Sequence, residues 1–424
     1  MRRCAMRTIR AKRTNWDMLL FFILISAAAL GNGMSDSVYS NYFKEAYHVT
    51  ATQRALIEVP RELPGLLCAL IIASLSMLGD IKISVIAQVL SCLGLMVLGL
   101  FSPTYGVMLI FLFINSMGMH LFLPLSDSIG MALAEPGHVG RRFGQYASLK
   151  MVFGFLAGLL VFFGFRLGWF SFRAPVNLLF LLGAGAFGIA VVAAALLLKR
   201  ETALKPVRSR TRLVFRRRYR FFYLLTMLHG VQKQVANVFG AWVIVDLLLK
   251  GADIMSLLLI TVSFISIFFM RAIGRWIDRF GIKRMMYVDA LTFIGIYTVY
   301  GFVVWGITAK VLPGAGWPVL TVYALFVLDR LSMQIGVVKS LYLKQIAVTA
   351  EEITSVLSTG ISLDHVVSIL AAQLSGFIWM IWGPQWVFFL AAFFSLGNLI
   401  IAWRIPKEPG KEAPEGKDAA QVLR

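Results

Sequence analysis

The chain has 424 residues, of which 59% are hydrophobic and only 15% charged. That balance excludes an ordinary water-soluble globule, which could not cover so much apolar surface, and calls for lipid as part of the solvent. The formal net charge of +20 would suggest nucleic acid in a soluble protein. Here the basic residues are gathered in short segments between apolar runs, the pattern by which Lys and Arg orient a membrane protein, so no nucleic-acid partner is expected.

Cys4, Cys68 and Cys92 offer neither a disulfide framework nor a metal spacing, and no cofactor or metal is expected. A basic head, residues 1–15, opens the chain. The stretch from Arg2 to Leu30 has the outline of a signal peptide, but the helix-compatible run continues through Asp36 to Phe43. Removing it would leave an odd number of spans.

Six apolar runs bounded by charges, Gly and Pro follow in the first half, at 16–43, 52–79, 83–101, 104–133, 143–166 and 173–198. The second half has six more, near 219–249, 254–276, 284–307, 316–345, 353–382 and 384–404. The spacing predicts an all-α membrane protein of twelve transmembrane helices in two six-helix pseudo-repeated halves, 16–198 and 219–404. Between the halves, residues 199–218 form a linker dense in Lys and Arg, and 405–424 read as a disordered tail. Alternation of spans places head, linker, Arg141-Arg142, the cluster from Arg271 to Arg284 and the tail on one side, expected to be cytoplasmic. The opposite loops carry only the scattered cations Lys44, Arg166, Arg173, Lys250 and Lys310.

Two halves joined by a basic linker is a layout known among transporters built from parallel repeats. Between spans 8 and 9 stands Gly274-Arg275-Trp276-Ile277-Asp278-Arg279-Phe280-Gly281-Ile282-Lys283-Arg284. This loop resembles the Gly-x-x-x-Asp-Arg-x-Gly-x-Lys-Arg motif of the major facilitator superfamily. The resemblance implies a cytoplasmic gate made of Gly274, Asp278, Arg279, Gly281, Lys283 and Arg284. The matching loop between spans 2 and 3 keeps only Gly79-Asp80 and Lys82. Span 4 has no arginine, and span 5 has Gly154-x-x-x-Gly158 without the family's drug-antiporter pattern.

An ionisable side chain inside a span costs roughly 2.5–3.5 kcal/mol on translocon scales unless it is paired or wetted. Span 1 holds Asn32 and Asp36 on one face, with Tyr39 a turn further on. Span 2 holds Glu58, Arg61 and Glu62 around Pro60 and Pro64. An Asp36–Arg61 contact is expected, and Arg61 and Glu62 are expected to act as a pair. These charges either hold spans 1 and 2 together or supply a titratable carboxylate, and both readings stay open. Span 4 places His120 and Asp127 on one stripe; span 5 carries Lys150. Span 7 gathers His229, Gln232, Lys233 and Asn237, span 10 carries Asp329, Arg330 and Gln334, and span 11 carries Asp364 and His365, the latter pointing about 100° away from its neighbour's stripe.

The resemblance implies that spans 1, 4, 7 and 10 line a central cavity. The expected substrate-binding residues are Asn32, Arg61, His120, His229, Gln232, Lys233, Arg330 and Gln334, and the expected proton-coupling residues are Asp36, Glu58, Glu62 and Asp364. The function so implied is a secondary active transporter of a small polar or anionic solute working by alternating access with a proton as coupling ion. It would be a monomer in the plasma (inner) membrane. A membrane-embedded enzyme acting on a lipid has no paired catalytic motif to support it, and a solute receptor would bind without flux.

The orientation can be checked directly. Reporter fusions are expected to place both termini and a linker site near Arg212 on the cytoplasmic side; an external linker would overturn the arrangement.

Overall fold

The structure is a computed structural model that describes residues 2–100, 103–134, 139–200, 215–347 and 350–405. The side chains of the basic head through residue 14, linker residues 201–214 and tail residues 406–424 lie outside the described residues. The elements, in order, are α1 (Arg2–Asp36), α2 (Tyr39–Tyr47), α3 (Ala51–Ser74), α4 (Asp80–Leu100), α5 (Tyr105–Leu133), α6 (Val139–Arg166) and α7 (Leu178–Lys199). The second half continues with α8 (Arg220–Gln234), α9 (Ala252–Thr308), α10 (Trp317–Ser332), α11 (Val337–Ile346), α12 (Ala350–Ile381) and α13 (Gln385–Arg404).

Among the described residues, nine helical stretches are long and apolar enough to cross a membrane. One of them is α9, whose 57 residues contain a reversal at Gly281 and so cross twice. Two further crossings carry features that hide them from a hydropathy criterion. Helix α3 contains Arg54, Glu58, Arg61 and Glu62. Helix α8 runs on through π-helical turns at Val235–Gly240 and Val243–Leu247. With α1 and α2 forming one crossing, and α10 and α11 another, the chain has twelve, in two halves of six. Only such helices satisfy every backbone group where water is absent.

Local chemistry sets the breaks. Helix α3 begins with a capping box in which the Thr50 hydroxyl accepts from the Gln53 backbone and the Gln53 side chain accepts from the Thr50 N–H. Pro60 and Pro64 lie inside it and remove two backbone donors at the depth where its charges sit. Gly79 (φ 76°, ψ 155°) precedes α4, and Gly281 (φ 77°, ψ 163°) breaks α9. Both occupy a backbone region open essentially to glycine alone. The two positions are equivalent in the two halves, so the same turn is used twice.

A crossing count of twelve puts the head, the start of α8 and the end of α13 at one end of the bundle, here called the terminal end. There Arg200 pairs with Asp17, Arg216 with Glu352, and Lys283 donates to the carbonyl of Ile405. At the opposite end the halves meet directly. Lys44 on α2 pairs with Asp246 in the second π turn, and Asn41 Nδ2 donates to the Lys250 carbonyl at 2.9 Å. Helix α3 packs on α12, with Ala55 against Gly376, and α6 packs on the first part of α9, with Gly158 against Ile260. One apolar core runs through both halves, including Phe21, Tyr42, Phe180, Phe239, Trp242 and Phe293. A second core, around Tyr219, Phe222, Ile273, Met285 and Leu343, belongs to the terminal end of the second half alone.

Gly79 gives a clean test of the turn, because a Cβ added there would meet nothing within 4 Å. Gly79→Ala is therefore expected to cost about 1–3 kcal/mol from backbone strain alone, read as a lower melting temperature in detergent. An unchanged melting temperature would count against the glycine-only turn.

Candidate functional site

Two charged networks occupy the middle of the bundle, and both are built on α3. In the first, Glu58 accepts from Arg54 on one side and from Arg61 at 2.8 Å on the other. Arg54 and Glu58 are almost wholly buried, with side-chain exposures of 1% and 2%. Removing either partner would strand a charge away from water, which is costly in a way that keeping the pair is not. Arg61 reaches onward to Asp36 at 3.5 Å and lies over the Tyr39 ring at 5.2 Å. The expected Asp36–Arg61 contact is therefore present. Asp36 is 44% exposed despite its position within the bundle, so its carboxylate faces an open cavity.

The second network crosses between the halves. Glu62 Oε2 accepts from Lys233 Nζ at 3.1 Å and from His365 Nδ1 at 2.6 Å, and Glu62 Oε1 accepts from Gln234 Nε2 at 2.9 Å. Lys233 also donates to Asp364 Oδ2 at 2.8 Å. The expectation that Arg61 and Glu62 act as a pair is corrected. Adjacent residues on a helix point about 100° apart, so Arg61 turns to Glu58 and Asp36 in its own half while Glu62 turns to the other half.

His365 reaches Glu62 because Gly65 leaves room: a Cβ at residue 65 would stand 2.2 to 2.7 Å from the imidazole ring. The His365 ring then meets His120 edge-on at 5.3 Å between centroids. His120 is anchored through Nδ1 to the Ser116 carbonyl at 2.9 Å, and the Ser116 hydroxyl donates to the Arg61 carbonyl at 2.6 Å. A continuous polar chain thus runs from α5 through α3 to α8 and α12.

Asn32 is half-buried, with its carbonyl oxygen unpartnered. Arg330 donates to Asn237 and stacks over Phe326 at 5.0 Å. Gln232 does not share this space, since its Nε2 donates to Ser395 on α13 at 2.9 Å and it is buried. Gln334 sits in a 3₁₀ turn between α10 and α11 and donates to Ser266 on α9. His229 packs beside Gly336. Asp364 belongs to the Lys233 network, and Glu58 is enclosed by arginines. In the motif loop, Asp278 is exposed with no hydrogen bond or ion pair, Arg279 lies over Phe280, and Gly281 supplies the turn. Lys283 caps the end of α13, Arg284 is exposed and Gly274 has open space around it. Lys150 donates to Ser126 at 3.1 Å.

The bundle also holds polar residues that the sequence patterns do not single out: Arg54, Gln234, Asp289 and Lys339. Arg54 is the most legible of these in retrospect, four residues before Glu58 on the same face. Asp329, expected at mid-depth, is fully buried and neither carboxylate oxygen accepts a hydrogen bond.

Solved structures that share the fold include the nucleoside transporter NupG, at TM-score 0.71 and 13% identity, covering 92% of this chain and 100% of that one. A POT family transporter in complex with 5-aminolevulinic acid superposes at TM-score 0.72 and 13% identity, over 91% and 95% of the two chains. A D-xylose-proton symporter superposes at TM-score 0.58 and 17% identity, over 90% and 96%. No curated protein matches the sequence. Residues 21–372 match the Major Facilitator Superfamily, and with the twelve-helix bundle, the repeated glycine turn and the charged middle they place the chain as a member of that family of membrane transporters.

Proposed function

We propose that this transporter moves a small polar or anionic solute by alternating access and couples the movement to protons. The observation that carries the reading is the Glu62 network, in which a carboxylate of one half is held by three donors of the other at mid-depth. If the halves separate at this level, Lys233, Gln234 and His365 leave Glu62. A carboxylate left without donors in the membrane is stabilised by taking up a proton, so separation and protonation favour one another. Arg61 and Arg330, beside the open Asp36, supply cations for a polar or anionic solute, with Asn32 and Asn237 close by.

The terminal end faces the cytoplasm in this reading, with residues 1–15, the linker 199–218 and the tail 405–424 on that side and the chain a monomer in the plasma (inner) membrane. The direct contacts at the opposite end and the shared core there then correspond to a state shut to the outside. Asp278, exposed and unpaired in this state, is free to latch in the other one. The D-xylose-proton symporter, which has this fold, is named for such coupling.

The first test identifies a solute by thermal shift of detergent-purified protein, since a ligand specific for the folded state raises its apparent stability, and then measures counterflow in sealed vesicles. Binding without flux would reject transport of that solute. With a solute in hand, Glu62→Gln is expected to slow pH-driven uptake at least about tenfold, equivalent to about 1.4 kcal/mol of barrier, while exchange at equal pH persists. Wild-type pH-driven uptake would remove Glu62 as the carrier, and joint loss of both activities with lowered stability would make the network structural only. Asp278→Asn is expected to slow transport several-fold while leaving the melting temperature unchanged. An unaltered rate would reject the latch.

A further inference from the structure

Lys339 lies on α11, one turn beyond the 3₁₀ segment Met333–Gly336, within the membrane. Its ammonium has no hydrogen bond and no ion pair, although it is only half-buried and long enough to search for one. His229 on α8 stands beside it: a Cβ added at Gly336 would lie 3.2 Å from His229 Cε1 and 3.6 Å from Lys339 Cε, so both side chains converge on that glycine. The imidazole of His229 likewise makes no hydrogen bond.

The charged groups around Lys339 explain why it stays free. Asp364, Asp289 and Lys233 are its charged neighbours. Asp364 gives one oxygen to Lys233 at 2.8 Å, and its other oxygen is unpartnered and turned toward Gly230, whose added Cβ would lie 3.3 Å from it. Asp289 on α9 also keeps an oxygen without a partner. Neither carboxylate comes within 4.0 Å of the Lys339 ammonium. A cation and an imidazole therefore converge on Gly336 inside the second half, next to the Glu62–Lys233 network, with their donors unspent.

We propose that Lys339 and His229 form an oxyanion subsite around Gly336 that receives the carboxylate or phosphate group of the transported solute. The proposal rests on the transporter reading above and narrows its solute to a small organic oxyanion. Lys339 supplies the point charge and a donor, and a ring nitrogen of His229 supplies a second donor. Gly336 matters because a Cβ there would press on the His229 ring at 3.2 Å. The site stands close to Lys233, so a bound oxyanion draws on the same cation that holds Glu62 and Asp364, which ties occupancy to the contact between the halves. Without ligand, the competing arrangement is a shift of Lys339 onto Asp289 or Asp364.

The test uses the detergent-purified full chain and thermal shift with succinate and inorganic phosphate, each against sodium chloride at equal ionic strength. At least one oxyanion is expected to raise the melting temperature of the wild type and of Lys310→Gln, an exposed control. Lys339→Gln and His229→Ala are each expected to raise the concentration for half-maximal shift by at least about tenfold, as loss of a hydrogen bond to a charged group implies. Asp289→Asn is expected to keep the shift. No response of the wild type to either oxyanion, or an undiminished response in Lys339→Gln, would overturn the subsite, as would loss in Asp289→Asn alone, which would make Lys339 a structural partner of Asp289. If Lys339→Gln fails to fold, Lys339→Arg serves instead and is expected to retain the shift while Gly336→Val loses it. Binding without counterflow would reject transport yet leave the subsite standing, whereas counterflow of an oxyanion with Lys339→Gln at the wild-type affinity would reject the subsite alone.

Discussion

An unpaired charge in hydrocarbon is costly, and the arrangement of this protein follows from where its charges find partners. Helix α3 carries four of them on a stretch that holds two prolines and sends them in two directions. Arg54, Glu58 and Arg61 are settled within the first half, where Glu58 is enclosed on both sides. Glu62 has no partner in its own half and takes three donors from the other. One residue therefore makes the stability of the middle of the bundle depend on how the halves are placed, while Arg54, Glu58 and Arg61 on the same helix do not.

The apolar architecture gives the same division a mechanical form. At the end opposite the termini, one continuous core and the Lys44–Asp246 pair join the halves, while the second half keeps a separate core at the terminal end. The apolar contacts that pass between the halves include glycines packed close against their neighbours, Gly376 against Ala55 and Gly158 against Ile260. Such surfaces hold helices close by shape rather than by hydrophobic drive, which is absent between helices in lipid.

How much of this was legible depended on the kind of constraint. The twelve crossings could be read because each backbone group in lipid must be satisfied within a helix, which forces long apolar runs and visible breaks. The turn at Gly281 and the Asp36–Arg61 contact were legible for similar reasons, a residue type that alone tolerates a conformation and two charges at one depth. The direction of Glu62 was not, because its partners lie 171 and 303 residues away and only packing decides which helix it faces. His365 points away from the stripe of Asp364, and that direction leads to Glu62 because Gly65 clears the path. Gln232 stands next to Lys233 in sequence, yet one residue of rotation turns it onto Ser395. Single charges in otherwise apolar runs, such as Asp289 and Lys339, have no neighbour in sequence to draw attention to them.

The two π-helical turns after α8 set the angular phase of that crossing. Along a regular α-helix the thirteen steps from Lys233 to Asp246 would rotate the side-chain direction by a net of about 220°, placing the two on nearly opposite faces. Each π turn accommodates one extra residue, so two of them reduce the net rotation to about 20°. Lys233 at mid-depth and Asp246 at the far end thereby both address the first half, one toward Glu62 and the other toward Lys44. The helix works as a double-toothed key cut on a single edge, and its teeth stay aligned only while both irregular turns persist. A shift of either turn back to regular α-helix would rotate one tooth out of its slot and uncouple the middle of the bundle from its rim, without altering any charged residue.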